Sequence, residues 1–528
     1  MRLITRRAVL GTAAATLAAP ATMAAERSRV LKFVPQSDLA VLDPIWTQGY
    51  VTRNHGLLVF DTLYGTDSQF NTRPQMVEGH RIEDDGKLWL LTLRPGLRWH
   101  DGEPVLARDC VASIRRWAAR DSFGQTLLAV TDELSAVDDR TIRFRLKHPF
   151  PLLADALGKP GSNIAAMMPE RLANTDPFKQ VTEMVGSGPF RFKADERVPG
   201  ARVVYERNAD YVPRPDGVAS FTSGPKIAYF DRVEWQVIPD AGTAAAALQN
   251  GEVDWWEAPT PDLLPLLRRR HDLTTVVQDP TGYIGVLRFN HFNPPFDNPA
   301  IRRAVLGAVS SEDYMLASAG EDPAGWRANV GFFCPGAPMA SAVGLEALSG
   351  PRDLDRARLE IIAAGYKGER VVVPVPTDFP SLKALGDVGV DLFKKLGFNV
   401  EYAATDWGSM LQRLPKTEPV EQGGWSAFHT YWSGLDQLNP AVNGSLRANG
   451  KAAGRGWPTS AKLESLRDDW LTATDPVQQK HIAEDIQRQA WIDLPYIPLG
   501  QLLASTTYRS DLAGVLGGFA LFWNARRG

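Results

Sequence analysis

Residues 87–117 read KLWLLTLRPGLRWHDGEPVLARDCVASIRRW. Apolar positions at Leu88, Leu90 and Leu93, then at Leu97 and Trp99, predict two short strands. Between them Arg94-Pro95-Gly96 forms a turn, its proline presetting φ and its glycine tolerating φ > 0. His100-Asp101-Gly102 closes the second strand, with Asp101 as a turn and cap residue rather than half of a catalytic pair. From Ala107 to Trp117, Val111, Ile114 and Trp117 recur at helical spacing. Asp109 sits near the start of that helix, where a carboxylate suits the positive end of the dipole.

A chain of 528 residues is too long for one core, so two or more lobes are expected. Hydrophobic residues at 44% and charged residues at 23% are ordinary for a soluble globular protein. The formal net charge of −3 falls to −6 if Arg2, Arg6 and Arg7 leave with a leader, which argues against nucleic acid as a partner. Thr5-Arg6-Arg7-Ala8-Val9-Leu10 is followed by an apolar stretch over residues 8–19 and by small residues at Ala24 and Ala25. That pattern resembles a twin-arginine export motif with a cleavage site, and predicts a signal peptide over residues 1–25 and a free periplasmic chain from about Glu26. Cys110 and Cys334, the only cysteines, read as two buried thiols, although an oxidising periplasm would permit a bridge.

Further segments carry distinct turn and cap chemistry. Gly186-Ser187-Gly188-Pro189 forces a sharp entry into the strand at Phe190, and it lacks the spacing of a phosphate loop. Residues 242–249 form an alanine-rich helix ended by Asn250-Gly251, with a strand beyond. A strand over residues 285–290 leads through Pro294-Pro295-Phe296 to a helix with Asn298 as N-cap and Pro299 at its first position. Arg302 and Arg303 on it read as a packing contact and a helix surface. Residues 370–375, RVVVPV, are a buried strand, 383–396 an amphipathic helix and 399–402 a second strand, together a βαβ unit.

In this order the segments resemble the family 5 bacterial solute-binding proteins, the extracytoplasmic receptors of peptide and nickel ABC importers. The resemblance rests on the "LR.GL.WHDG.P..A.D" core of residues 87–117, the Gly186–Pro189 turn, the helix ending in Asn250-Gly251-Glu252-Val253-Asp254, and the Phe289-Asn290 to Arg302 stretch. It runs from about residue 38 to residue 500. It implies an α/β fold, a two-lobed periplasmic binding protein of type II with an inserted subdomain in the first lobe. The first lobe would take residues 26–64, 201–282 and 497–528, the insert 65–200, and the second lobe 283–496. Lobe closure about hinge strands near residues 283–290 and 494–501 would capture solute, and the closed form would dock, as a monomer, on a membrane permease.

The same resemblance places ligand-binding residues at Trp46, Thr47, Thr377, Asp378, Phe379, Trp407, Tyr431, Trp432 and Asp436. Asp436 would pair with a ligand ammonium, and Trp407 would supply an aromatic face. Asp436 lies one residue further from Trp432 than the family's spacing. Where dipeptide-binding members carry an arginine for the ligand carboxylate, this chain has Pro376-Thr377-Asp378-Phe379-Pro380. A short peptide or peptide-like solute is therefore the expected cargo, with an oligosaccharide, an opine-like conjugate or a nickel chelate as alternatives. Fifteen tryptophans suit aromatic platforms, Trp425 among those in segments flanking the cleft, although most fill cores. Of eight histidines, none pairs at metal-ligand spacing on a helix, and His429 is the one placed near the cleft, so neither metal nor other cofactor is expected. No GxSxG or HExxH motif is present, so neither catalysis nor catalytic residues are expected; a hydrolase or chaperone is the competing class.

Overall fold

The computed structural model describes residues 29–528, so the twin-arginine motif and the leader lie outside the described residues. A seven-stranded sheet is built around Val30–Val34, which runs parallel to both Arg232–Gln236 and Trp255–Trp256. Antiparallel strands extend it, Arg202–Arg207 and Phe190–Phe192 on one side and Ser505–Arg509 and Leu273–Val277 on the other. Phe33 anchors its core, with the rings of Trp235, Trp255 and Phe522 at 5.6, 5.3 and 4.9 Å. The helix Ala241–Asn250 ends, as its Asn-Gly predicts, with Gly251 at φ 72°.

A second sheet pairs Ala427–Ser433, Tyr283–Phe289, Ile497–Leu502 and Trp326–Arg327, all antiparallel. Beside it Arg370–Pro376 and Asn399–Thr405 run parallel, joined by the helix Pro380–Lys395, which is the expected βαβ unit. Asn298 caps the helix Pro299–Leu306, accepting from the Ala300 N–H at 2.9 Å. Arg302 is buried and donates to the Phe296 carbonyl, while Arg303 is exposed. Two crossings connect the sheets, at residues 278–282 and 503–504. They lie against each other, for a Cβ on Gly282, at φ 50°, would stand 2.1 Å from the Leu502 carbonyl oxygen. The architecture is the two-lobed α/β one.

The opening motif forms a four-stranded antiparallel sheet of Val77–Glu83, Leu88–Leu93, Thr141–Leu146 and Thr131–Ala136, covered by the helix Ala107–Ala118. Gly96 takes φ 77° in the expected turn. Leu97–Trp99 is not a strand. That segment folds on itself, with Trp99 N–H donating to the Glu103 carbonyl (2.8 Å) and Val105 N–H to that of Leu97 (3.1 Å). Asp109 fastens this loop to the helix, accepting from Leu106 N–H at 2.9 Å and Trp99 Nε1–H at 3.2 Å. Cys110 and Cys334 are free thiols, buried in separate cores.

His100 joins two of the motifs. Its backbone N–H donates to the Gly186 carbonyl (2.8 Å) and its Nε2–H to that of Gly188 (3.0 Å). Both glycines press on the end of the helix Tyr50–Val59, where a Cβ on Gly186 would meet the Val59 oxygen at 2.0 Å. Burial, with the positive charge of Arg191, pulls the imidazole from 6.5 down to about 4, against the opposing effect of the Gly188 carbonyl. Above pH 6.5 the ring is neutral folded or unfolded. As pH falls from about 6.5 towards 4, the unfolded chain binds a proton that the folded chain refuses, so stability is lost across that window. His100→Gln, which keeps a donor for Gly188, is expected to flatten this part of the stability profile. Urea midpoints measured between pH 7 and pH 4 give the comparison, and parallel profiles for the two proteins would rule out His100 as a source of the slope.

Candidate functional site

The helix Ala107–Ala118 organises one wall of a cleft between the lobes. Arg116 forms a buried ion pair with Asp43, Nη2 to Oδ2 at 2.6 Å, and Asp43 also accepts from the backbone N–H groups of Ile45 (3.2 Å) and Val181 (2.9 Å). Trp117 Nε1–H donates to the Asn163 carbonyl at 2.7 Å, and the Asn163 amide donates to the carbonyls of Ile45 (2.8 Å) and Thr47 (3.2 Å). Just past the helix, Arg120 donates to the Trp46 carbonyl at 3.0 Å and lies 4.9 Å over the Trp46 ring. The loop bearing Trp46 and Thr47 is thus held by Arg116 through Asp43, by Trp117 through Asn163, and by Arg120 directly.

The opposite wall comes from the second lobe. Phe379 precedes the helix Pro380–Lys395 and Trp407 opens the helix Trp407–Arg413, whose cap Asp406 accepts from Ser409 N–H at 2.9 Å. Their rings meet edge to face at 6.1 Å, and the aromatic line continues through Tyr431 (6.0 Å from Phe379), Tyr283 (4.9 Å) and Tyr50 of the first lobe (5.6 Å). Along Ala427–Ser433 side chains alternate, so Phe428, Thr430 and Trp432 share one face and line the cleft. His429 points the other way into the core, stacked on Tyr314 at 5.7 Å and pulled from 6.5 to about 3 by burial. Its packing against Tyr314 and Phe393 corrects its expected position near the cleft. Trp425 is also core, packed 5.0 Å from Phe428 and behind it.

Two connected chambers result. The first, about 450 Å³, is lined by Trp46, Thr47, Phe379, Trp407, Tyr431 and Trp432 among others. The second, about 350 Å³, includes Asp436 and shares Gln48, Arg120, Asn163, Phe428, Trp432 and Arg455 with the first. Both volumes lie in the range of small-molecule sites, roughly 300–1,000 Å³. The Trp432 Nε1–H is buried, with no hydrogen-bond partner among the described residues.

Asp436 ties the lobes together. Its Oδ1 accepts from the Ser162 backbone N–H (2.9 Å) and hydroxyl (3.0 Å), and its Oδ2 from the Tyr50 hydroxyl (3.2 Å). Tyr50 oxygen in turn accepts from Ser433 N–H at 2.5 Å. Gly161 must lack a side chain, because a Cβ would stand 2.4 Å from Asp436 Oδ1. Thr377 and Asp378 are absent from both linings. Thr377 N–H donates to the Thr405 carbonyl (2.9 Å), and exposed Asp378 accepts from Trp407 N–H (2.8 Å), fixing the start of the Trp407 helix. Among the described residues no group of three or more His, Cys, Asp or Glu side chains could hold a metal ion.

The profile of the bacterial extracellular solute-binding proteins, family 5 middle region, matches residues 71–453. The chain belongs to this family. A probable peptide ABC transporter periplasmic-binding protein of Sinorhizobium fredii is 37% identical over 496 residues, covering 93% of this chain and 92% of the relative. A glutathione-binding protein of Pectobacterium atrosepticum is 24% identical over 480 residues, with 87% and 86% coverage. Among solved structures, a periplasmic binding protein of A. tumefaciens R10 in complex with agropinic acid superposes with a TM-score of 0.78 at 17% identity, over 94% of this chain and 99% of that one. A Helicobacter pylori binding protein in complex with the peptide STSA gives 0.77 at 20%, over 94% and 98%. These structural likenesses establish the fold alone.

Sequence reasoning missed Tyr50, Arg120 and Ser162, which reach the family 5 cleft from the first lobe and its insert. Tyr50 lies four residues beyond Trp46, but only the fold turns it towards Asp436. The buried Asp43 and Arg116 pair is what sets this wall, and removing one partner leaves an uncompensated buried charge. Asp43→Ala is expected to lower unfolding free energy by about 3–5 kcal/mol, read from urea denaturation. A loss below about 1 kcal/mol would mean that the pair does not secure the wall.

Proposed function

We propose that this family 5 protein is the periplasmic receptor of an ABC importer and captures a short peptide or peptide-like solute by closing its lobes. The observation that carries the reading is the aromatic-walled cleft between lobes, with one carboxylate, Asp436, at their junction. Ser162 and Tyr50 occupy part of the acceptor capacity of Asp436. A carboxylate has about four lone-pair sites, which leaves room for a ligand ammonium. Trp46, Phe379, Trp407, Tyr431 and Trp432 would hold apolar side chains, and Trp432 Nε1–H would donate to a ligand carbonyl. Thr47 would complete the rim, while Thr377 and Asp378 would act through the position of Trp407. The relationship to a probable peptide ABC transporter protein at 37% identity supports the same cargo class.

The crossings at residues 278–282 and 503–504 are proposed as the hinge in place of the strands near 283–290 and 494–501, which pair within the second sheet, so the second lobe would run over 283–502, the first lobe would keep 201–282 and resume at 503, and the insert would stay at 65–200. The closed form would dock as a monomer on a membrane permease, and Arg6-Arg7 would direct export of the folded protein. A glutathione-like peptide is the second reading, favoured by the relative named for glutathione binding.

Thermal shift against di- to pentapeptides, opine-like conjugates, oligosaccharides and nickel chelates tests the cargo, because a ligand of the folded state raises apparent stability. A free-amine peptide is expected to raise Tm. Calorimetry should then find binding to Asp436→Asn weaker by about tenfold to a hundredfold, as loss of a charged hydrogen bond implies. Binding of sugars or chelates with no response to any peptide or conjugate would overturn the cargo assignment while leaving the family intact.

A further inference from the structure

The second chamber carries more positive charge than its surroundings neutralise. Five cationic side chains line it, Arg120, Lys159, Arg288, Arg447 and Arg455, against two carboxylates, Asp121 and Asp436. Lys159 is paired with Asp121 at 2.6 Å, and Arg447 with Glu464 at 3.2 Å. Among the described residues Arg120, Arg288 and Arg455 have no carboxylate within ion-pair distance, and Asp436 is engaged by Ser162 and Tyr50.

Arg288 is the unusual member. It is 3% exposed, and its Nε and Nη2 have no hydrogen-bond partner among the described residues. Its place on a strand directs it to the cleft. Arg288 pairs across the sheet with Phe428, and directly opposed residues of antiparallel strands project to one side, so it shares the face of Phe428, Thr430 and Trp432. Behind it the chain approaches closely at Gly456, where a Cβ would stand 3.6 Å from Arg288 Nε. Burial lowers Arg288 to about 10, with the like charge of Arg455 acting the same way against an opposing effect of Tyr496, so the side chain stays cationic at neutral pH. A buried Arg288 beside a half-buried Arg455, neither with a counter-charge, is costly, and a bound anion lowers the cost.

We infer that Arg288 and Arg455, with Arg120 at the neck between the chambers, form the receptor for a carboxylate of the solute. This rests on the proposed capture of solute in the cleft and narrows its class to solutes bearing an acidic group. It also supplies a clamp that the sequence lacks at residues 376–380, where the chain has Pro-Thr-Asp-Phe-Pro. Guanidinium groups suit this task because their planar forks match carboxylate geometry.

The test uses the mature protein and two kinds of probe at constant ionic strength. Succinate at tens of millimolar is expected to raise Tm, and neutral succinamide to leave it unchanged. The succinate response should fall about tenfold in apparent affinity in Arg455→Gln and in Arg288→Lys, and persist in Arg303→Gln, which removes an exposed arginine outside both chambers. Arg288→Lys keeps the charge but not the fork, so it guards against simple unfolding of a neutral variant. Peptides with a free or amidated C-terminus, with and without a glutamate side chain, then distinguish a main-chain from a side-chain carboxylate as the source. Absence of any succinate shift in the wild type, or a shift that survives in both Arg455→Gln and Arg288→Lys, would overturn the inference. Failure of every peptide with an intact succinate response would instead overturn the proposed cargo.

Discussion

The buried pair of Arg116 and Asp43 is the contact on which the cleft depends. Both side chains are almost wholly removed from water, so the pair holds only because Asp43 is saturated, by two guanidinium donors and by the N–H groups of Ile45 and Val181. Saturation couples three segments that are distant in sequence: the helix Ala107–Ala118, the loop carrying Trp46, and the chain at Val181. Trp117 and Arg120 of the same region then complete the support of that loop. A binding wall drawn from a loop acquires the rigidity of a helix in this way, which limits the entropy lost when a solute orders it.

Much of the fold is legible in the sequence because local chemistry and global position agree there. Asn298 followed by Pro299 specifies a helix start, Asn250-Gly251 a helix end, and RVVVPV a buried strand, and each is found in place. The motif at residues 87–117 is legible for its first strand and its helix but not for Leu97–Trp99. There the alternation that reads as a strand arises from a loop closed by Glu103 and Asp109, contacts that sequence pattern does not encode.

The site is legible in part, and the division follows strand register. Phe379, Trp407, Tyr431, Trp432 and Asp436 fall in segments that the family resemblance places at the cleft. His429, placed near the cleft by its neighbourhood, packs into the core instead, while the adjacent Phe428 lines the cleft from the other face of the strand. Tyr50, Ser162 and Arg288 carry no local signature at all. An arginine within an apolar strand reads as an exposed edge position until the pairing partners of that strand are known, and here they are Ala427–Ser433 on one side and Ile497–Leu502 on the other.

The two chambers divide the physical work of capture. In the first, aromatic faces are indifferent to the detail of an apolar group and favour many solutes alike. In the second, charged groups discriminate strongly, because a solute lacking the matching charge leaves arginines desolvated and unpaired once the lobes shut. Desolvation therefore makes closure itself selective. In an open form water serves the guanidinium groups at little cost, whereas in the closed form only a counter-charge can. A solute shifts the equilibrium towards closure by the difference in its affinity for the two forms, and on the inferred carboxylate receptor the arginines of the second chamber would supply that difference. On the proposed capture, the aromatic chamber would contribute affinity for many solutes and the charged chamber would select those that carry an acidic group.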